Sequence, residues 1–439
     1  MRPRLPLSRR KFLTSAGGAS IASGIWAGFG FKLPNKPIGL NEKLNLGIIG
    51  TANRAAANIA GLREENLVAI CDVDENFLGS LGQKLPRARQ YIDFRDLLEK
   101  ENLDGIVIST ADHTHAPAAL QAIDAGLHVY CEKPLSHTVE ESRLIAKAAK
   151  ERKVVTQLGT QIHSHDNYRR VVEMVQSGVI GVVNEAHAWV GKAWGGRQEL
   201  GPGDPTPTHF HHDLWLGPAP KRPYHDFYHP AQWRRFWDFG GGTLGDMGCH
   251  LLDLPFWALE LRHPAKVTAE GPEPNQETAP TQMRASWEFA PRKSKTGSLL
   301  PAASLHWHDG GLKPPQFKDP LFANLNFGSG VLFVGSKGML VCDYGRFFLL
   351  PEDSYEGFTP PPQTLPSSPG HYREWVNAIR GEGEALCDFE YSGALTETVL
   401  LGNVAYRAGE PFSWDAKNLR ASSPRAQSFI AKENRPGWF

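Results

Sequence analysis

The sequence predicts an α/β N-terminal domain on a doubly wound parallel sheet, followed by an α+β domain with a large mixed or antiparallel sheet. Three observations predict it. Short apolar runs alternate with helical stretches between residues 44 and 160. A Gly-led turn follows the first run. Beyond about Gln161 the texture changes to a long aromatic, Pro- and His-rich stretch and then closely spaced strand-like runs. A chain of 439 residues also exceeds what one hydrophobic core usually organises.

Residues 1–43 read as a signal and linker. Ser8-Arg9-Arg10-Lys11-Phe12-Leu13 precedes a Gly- and Ala-rich stretch, Thr14 to Phe31, without an acidic residue. This is the pattern of a twin-arginine export signal, so the expected location is the periplasm or another exported site. No A-x-A-like cleavage site stands out between Trp26 and Lys36, which leaves an uncleaved signal open; no other segment is long and apolar enough to span a bilayer.

The first domain is read as residues 44–160. Leu44 to Ile49 forms a buried strand ending at Gly50; further strands follow at Leu67–Cys71, Gly105–Ser109, His128–Cys131 and Val154–Leu158. Helices are predicted at Ala55–Arg63, Pro117–Ala125 and Val139–Glu151. The turn Gly50-Thr51-Ala52-Asn53-Arg54-Ala55 stands between strand and helix, where the glycine-rich turn of a Rossmann unit meets a pyrophosphate at a helix N-terminus. Only its first position is glycine, and Ala52 is a departure expected to push the pyrophosphate outward. Asp72 ends the second strand about 20 residues downstream, where an acid takes the adenosine ribose hydroxyls. A carboxylate there repels a 2′-phosphate, so the cofactor reading is NAD rather than NADP.

The second domain is read as residues 161–439: a helix at Tyr168–Ser177, then strands at Val182–Val190, Lys266–Glu270, Gln282–Phe289, Ala303–His308, Val331–Val334 and Met339–Cys342. The stretch from Trp194 to Asp238 is too long for a simple connection and reads as a binding loop or lid. Its aromatic residues suit the apolar faces of sugar rings, and Arg234 suits their hydroxyls; substrate contacts are assigned to His163, Trp194, Trp233 and Arg234. The tail from Trp414 to Phe439 is expected to wrap the surface or a partner subunit.

Charge excludes some functions. Lys plus Arg and Asp plus Glu both number 47, and the basic residues are scattered, which leaves no footprint for nucleic acid. The five cysteines are far apart, form no C-x-x-C pair and read as buried thiols. No metal site is read: His209, His211 and His212 lack a Cys or Glu to complete one.

Ser109-Thr110-Ala111-Asp112-His113-Thr114-His115 follows one strand, and Val129-Tyr130-Cys131-Glu132-Lys133-Pro134 ends the next. With Gln157 to Gln161, Asp213 to Pro218 and Gly245 to Asp253, they carry a resemblance to the Gfo/Idh/MocA oxidoreductases over essentially the whole chain after residue 44. Glu132, Lys133 and Pro134 match that family's E-K-P motif, while its usual proline after the Thr is here Ala111. The resemblance implies catalytic roles for Lys133, Asp246 and His250. It implies cofactor contacts from Gly50, Thr51, Ala52, Asn53, Arg54, Asp72, Thr110, Asp112, His115, Glu132, Lys133 and Gln161, and a dimer or tetramer.

The residues themselves fit that chemistry. Lys133 falls at the carboxyl end of a parallel strand, where open α/β sheets bind ligands. Asp246 and His250, four apart on a helix from Gly245 to Leu254 that Pro255 kinks or ends, share one face; a carboxylate setting an imidazole tautomer suits a general base. The leading expectation is an oxidoreductase moving hydride between tightly held NAD and a sugar, cyclitol or glycoside. The alternatives are an NAD-dependent glycosidase working by oxidation, elimination and reduction, with Tyr168, His163 and His225 as candidates for its further base, and a noncatalytic sugar- or nucleotide-binding protein.

Overall fold

The computed structural model describes Gly39, residues 42–196 and residues 200–439. The twin-arginine segment lies outside the described residues. Six parallel strands, β1 (Asn45–Ile49), β2 (Asn66–Cys71), β3 (Arg89–Tyr91), β4 (Gly105–Ile108), β5 (His128–Cys131) and β6 (Thr156–Leu158), form the first sheet in the order β3-β2-β1-β4-β5-β6. That order reverses direction between β1 and β4, the switch point at which a doubly wound sheet opens a crevice beyond its carboxyl ends.

Alternate side chains enter two cores because strand side chains alternate faces. Ile106 and Ile108 pack with helices α3 (Phe94–Lys100), α4 (His115–Asp124) and α5 (Val139–Arg152); Val107, Leu46 and Ile48 pack on the other side, near α1 (Ala55–Gly61) and α2 (Glu75–Lys84). This is the doubly covered parallel sheet that the strand-helix alternation predicts.

After α6 (Asp166–Gln176) the second sheet begins with β7 (Val183–Val190). It continues through β8 (Lys266–Glu270), β9 (Arg284–Phe289), β12 (Ala303–His308), β13 (Ser329–Gly335), β14 (Met339–Cys342), β15 (Phe347–Leu350), β16 (Phe412–Asp415) and β17 (Arg420–Ala421), with the small β10 (Arg292–Lys293) and β11 (Leu299–Leu300) pairing apart. Its order is β15-β14-β13-β7-β12-β9-β8-β16-β17. β7 and β12 run parallel and the other pairs antiparallel, so the sheet is mixed.

Between β7 and β8 stand α7 (His212–Leu216), α8 (Gly242–Leu251) and α9 (Asp253–Ala258). The helix expected from Gly245 to Leu254 is therefore two: the break falls at Leu252, and Pro255 lies in the first turn of α9, where its missing N–H removes no hydrogen bond.

Two later helices tie the chain together. Trp375 and Val376 of α10 (His371–Ile379) are buried in the core that holds Leu44, Leu46 and Ile48, so a segment from far along the chain completes one face of the first sheet. α11 (Phe389–Ala408) is buried at every residue except Glu390 and Arg407. Its Glu397 accepts hydrogen bonds from Arg143, Trp414 and His263, all three anchored on one carboxylate. All five cysteines are buried and unpaired. Among the described residues no helix is long and apolar enough to cross a membrane.

Candidate active site

A cleft of about 410 Å³ opens at the switch point, running from the turn after β1 to Lys133 after β5. Gly50 has φ +85°, and a Cβ there would stand 2.7 Å from the Ser109 carbonyl oxygen, so only glycine lets β1 turn this tightly against the end of β4. The second left-handed position is Asn53, with φ +53°, and Ala52 is not left-handed. Asparagine tolerates that conformation, so an alanine at 52 costs the turn no strain.

Asp72 faces this turn. One carboxylate oxygen accepts from the Thr51 backbone N–H and hydroxyl, both at 2.8 Å, and the other from the Asp74 N–H at 3.0 Å. Burial raises its pKa, and these donors oppose the rise. Asp72 therefore couples the ends of β1 and β2 while lining the cleft.

Beyond Gly50, Arg54 donates to Glu132 at 3.1 Å, and Gln161 donates to the same carboxylate oxygen at 3.0 Å and to the Tyr130 hydroxyl at 2.9 Å. The other Glu132 oxygen is buried without a partner, although the residue lines the cleft. An orphaned buried acceptor fits a bound hydroxyl donor. With the Gly50 cradle, it makes the cleft suited to a dinucleotide.

Lys133 and Asp246 meet at the far end. The Lys133 ammonium donates to Asp246 Oδ1 at 2.8 Å and to its backbone carbonyl at 2.5 Å, with the two side chains only 11% and 8% exposed. Arg234 Nε donates to Oδ1 at 3.2 Å, Trp194 Nε1 to Oδ2 at 2.8 Å, and Lys192 stands 3.4 Å from Oδ2. Burial alone would raise the Asp246 pKa, but Lys133, Arg234 and Lys192 hold it well below the usual carboxylate range.

His250 lines the cleft one helical turn after Asp246. Burial lowers its pKa to about 3, so it is a neutral imidazole at ordinary pH. The expected hydrogen bond between the two is not formed: the side-chain donors on Asp246 are Lys133, Arg234, Trp194 and Lys192. The carboxylate acts on His250 through charge rather than by setting its tautomer.

Thr51, Ala52, Asn53, Arg54 and Thr110 line the cleft. Asp112 and His115 lie beneath it. Burial raises the Asp112 pKa to about 7, and His115 bridges the Pro134 and Thr110 carbonyl oxygens at 2.7 and 3.1 Å, which fixes the Lys133 strand end against α4. His163 does not line the cleft: its ring is stacked 3.8 Å from Trp257, and its Nδ1 faces the Asp253 carboxylate at 2.9 Å. Trp194 does not line the cleft and reaches the site through Asp246 and through Arg234, whose guanidinium lies 5.9 Å from its ring. Trp233 lines the cleft and carries the Arg234 guanidinium 4.2 Å above its ring. Trp189 and Trp237 belong to the core, and Tyr224 and Tyr228 pack in an aromatic cluster that rigidifies the loop. His209, His211 and His212 diverge, with His211 paired to Glu75 at 2.8 Å and His212 stacked toward Trp215.

The sequence reading missed Lys192, His229 and Trp438. Lys192 follows β7 with no motif around it. His229 and Trp438 reach the end of the cleft beside Phe77 and Phe94 from the inserted loop and the tail. There the loop is docked by Phe210 bridging to Asp74 and by the His211 N–H donating to the Val73 carbonyl at 2.9 Å. The tail is docked by Arg435 on Asp213 at 2.6 Å and by Arg95 lying 4.3 Å over the Trp438 ring.

A parallel α/β domain with this turn, acid and orphaned acceptor, facing a lysine-carboxylate-histidine site, defines the class of dinucleotide-binding two-domain proteins. Comparison with known proteins gives the family. Residues 44–160 match the family model described as "Oxidoreductase family, NAD-binding Rossmann fold", and residues 166–292 match its "C-terminal alpha/beta domain". The chain belongs to the Gfo/Idh/MocA oxidoreductase family, and its cleft opens at the carboxyl ends of the strands of that NAD-binding Rossmann domain.

The chain is 30% identical over 138 residues to myo-inositol 2-dehydrogenase of Thermotoga maritima, covering 31% of this chain and 41% of the relative. It is 29% identical over 206 residues to a glycosyl hydrolase family 109 protein of Shewanella pealeana, covering 40% and 44%. The matched parts thus span less than half of either relative. Among solved structures, the WlbA dehydrogenase of Bordetella pertussis, in complex with NADH and UDP-GlcNAcA, superposes with a TM-score of 0.62 at 19% identity, covering 86% of this chain and 99% of that one. At that identity the likeness is one of fold.

Proposed function

We propose that the protein is an exported NAD-dependent oxidoreductase acting on a sugar, cyclitol or glycoside, with Lys133, Asp246 and His250 around the reacting carbon and with a tightly held cofactor. The observation that carries this reading is the Lys133–Asp246 pair, 2.8 Å apart and flanked by His250 in the same cleft as the Gly50 turn. When bound, NAD supplies the hydride acceptor or donor. The chain's own groups handle the oxygen. Lys133 and Arg234 present N–H donors that stabilise negative charge on a substrate hydroxyl oxygen. The neutral His250 ring offers an acceptor for that hydroxyl's proton. Trp233 and Trp215 give flat apolar faces beside these polar groups, which suits a ring bearing many hydroxyls.

Tight retention is supported by the adenosine end of the cleft, which is lined by Phe77 against His229 and by Phe94 against Trp438. Two of these four come from outside the first 160 residues, so docked segments add to the cofactor's surroundings there. An exported enzyme without a pool of free NAD would need such retention, and would return the cofactor to its starting redox state within each cycle by acting on a second substrate. Export itself rests on the paired Arg9 and Arg10 and the stretch after them.

The glycosidase alternative takes support from the similarity to the family 109 hydrolase. Of its candidate bases, His163 is buried away from the cleft, Tyr168 is buried behind it with its hydroxyl donating to the His250 carbonyl at 3.3 Å, and His225 lies in the loop beside Asp204. The experiment is to purify the protein from a host with twin-arginine export, denature it without added cofactor and quantify the released nucleotide. Near-stoichiometric NAD or NADH is the expected result. Incubation with glycosides then separates net oxidation from bond cleavage. A protein isolated without nucleotide that shows no calorimetric NAD binding overturns both enzymatic readings.

A further inference from the structure

The outer face of the second sheet carries a cluster that takes no part in the cleft. Glu185 and His187 alternate on β7, and His306 and His308 alternate on β12; His306 is paired in register with His187, which places all four on one face. One ligand atom each from Glu185, His187 and His306 lies within 4.8 Å of the other two. His187 stacks on His306 with ring centroids 4.6 Å apart and 24° between planes, and on His308 at 5.4 Å. Gln316, from the segment that crosses this face, completes the group.

Protons satisfy the arrangement only by crowding two donors onto one oxygen. His187 Nε2 is 2.6 Å from Glu185 Oε1, and Gln316 Nε2 is 2.9 Å from the same oxygen and 3.1 Å from His187 Nε2. If His187 Nε2 carries the proton that Glu185 accepts, it meets the Gln316 amide as donor against donor. If it does not, two acceptors face each other at 2.6 Å. Meanwhile Gln316 Oε1 and His308 Nδ1 are buried without partners, and buried polar groups rarely stay unpaired. Turning the Gln316 amide over brings its oxygen inward, leaving three lone pairs converging on one point.

We propose that these residues form a site for a divalent transition-metal ion of the zinc class, held by Glu185, His187 and His306 with Gln316 Oε1 or water as the fourth ligand. Two imidazoles and a carboxylate are borderline donors of the kind zinc takes tetrahedrally. The outer contacts are those that orient ligand histidines: His306 Nδ1 is 2.8 Å from the Ser286 hydroxyl, and His187 Nδ1 is 3.2 Å from His308 Nε2, which leaves an Nε2 on each ligand ring for the ion. The ion would pin the segment around Gln316, whose Phe317 and Phe322 cover Trp189, to the sheet. Glu185 and His306 lie more than a hundred residues apart in the chain, so no local spacing announces the site.

The test uses the full chain without a histidine tag, stripped with chelator and titrated with Zn²⁺ by calorimetry and with Co²⁺ by absorption. The expected result is one equivalent of Zn²⁺, intense tetrahedral Co²⁺ bands and a raised Tm. In Glu185→Gln and His306→Asn the affinity should fall at least tenfold, with nucleotide content unchanged as the check of folding. Wild-type protein giving neither Co²⁺ bands nor a Tm shift overturns the proposal, and that measurement needs no variant. Uptake that persists unaltered in folded Glu185→Gln and His306→Asn overturns it equally.

Discussion

The Lys133 ammonium, at the carboxyl end of β5, lies 2.8 Å from Oδ1 of Asp246 on α8, so a residue of the first sheet and a residue of the following domain share one charge-assisted contact in a largely buried site. Neither element places its charge without the other. Lys133→Met removes the ammonium while Arg234, Lys192 and Trp194 still satisfy Asp246. Turnover should fall by about 10²–10⁴, the range for a positioned acid-base group, with bound nucleotide retained. Lys133→Arg should not restore it, because a planar guanidinium cannot make the same two contacts. Steady-state rates with nucleotide content measured on the same preparations check this; a loss of nucleotide in step with activity would assign Lys133 to cofactor binding instead.

On the proposed function, Asp72 sets the choice of dinucleotide. Asp72→Asn keeps an acceptor for Thr51 but removes the charge that repels a 2′-phosphate. NAD affinity should drop by roughly tenfold, the worth of a charge-assisted hydrogen bond, and the preference for NAD over NADP should shrink by at least as much. Competition calorimetry on nucleotide-free protein gives both numbers.

Trp438 lines the cleft beside Phe94, the end the proposed function gives to adenosine. Trp438→Ala leaves every residue around Lys133 in place, so the rate of the chemical step should hold. NAD dissociation should quicken about tenfold, a change of about 1.4 kcal/mol. Exchange against labelled NAD after rapid dilution measures it, and an unchanged off-rate would remove the tail from any part in retention.

Acid should destabilise the protein early. His113, His250 and His371 have pKa values lowered to about 3, and His115 to about 4, all chiefly by burial. Between these values and an unfolded pKa of about 6.5 the unfolded chain binds more protons, so their contribution is full above pH 6.5 and is lost as pH falls. Asp112 works the other way: its raised pKa of about 7 means the folded state binds the extra proton, and stability drops as pH rises from about 4 to 7. His306 and His308, lowered to about 4 and about 3, add to the first set, and Asp309, raised to about 6, adds to the second; six groups outweigh two, so Tm should decline from pH 6.5 to 4. In Asp112→Asn that decline should steepen, because an opposing group is gone. Calorimetric scans at half-unit steps read both slopes.

Much of this was legible in the chain. Strands β1, β2, β4 and β5 are apolar runs flanked by turn residues, and the Gly50 turn with Asp72 follows a local rule of spacing. β3 was invisible because Arg89, Gln90 and Tyr91 carry no apolar run. α11 was invisible for the opposite reason: buried nearly all round, it shows no polar face to mark a helical period. In the site, Lys133, Asp246 and His250 came from motifs, whereas Lys192, His229 and Trp438 arrive by docking of distant segments. The pairing of Asp246 with His250 was misread because helical spacing gives proximity but not which neighbour wins the hydrogen bond. Here two ammonium groups, a guanidinium and an indole win it.

Trp375 joins the last stretch of chain to the first strand. Trp375→Ala should cost about 3–5 kcal/mol, as for other large aromatic truncations in a core, and it should do so by exposing β1 rather than by altering the second sheet. Urea unfolding followed by nucleotide release would show cofactor loss coinciding with the weakened transition.

That contact also sets an order of events during synthesis. Leu44, Leu46 and Ile48 leave the ribosome early, yet Trp375 and Val376, part of the surface that covers them, are more than three hundred residues away. Until α10 emerges, the half-built nucleotide domain presents an oily flank to every chaperone and neighbouring chain it meets. Completion of the polypeptide, rather than completion of the first 160 residues, is then the step that closes the domain. A ribosome-stalled fragment lacking residues beyond 370 would be a client for chaperones and not a miniature cofactor-binding protein.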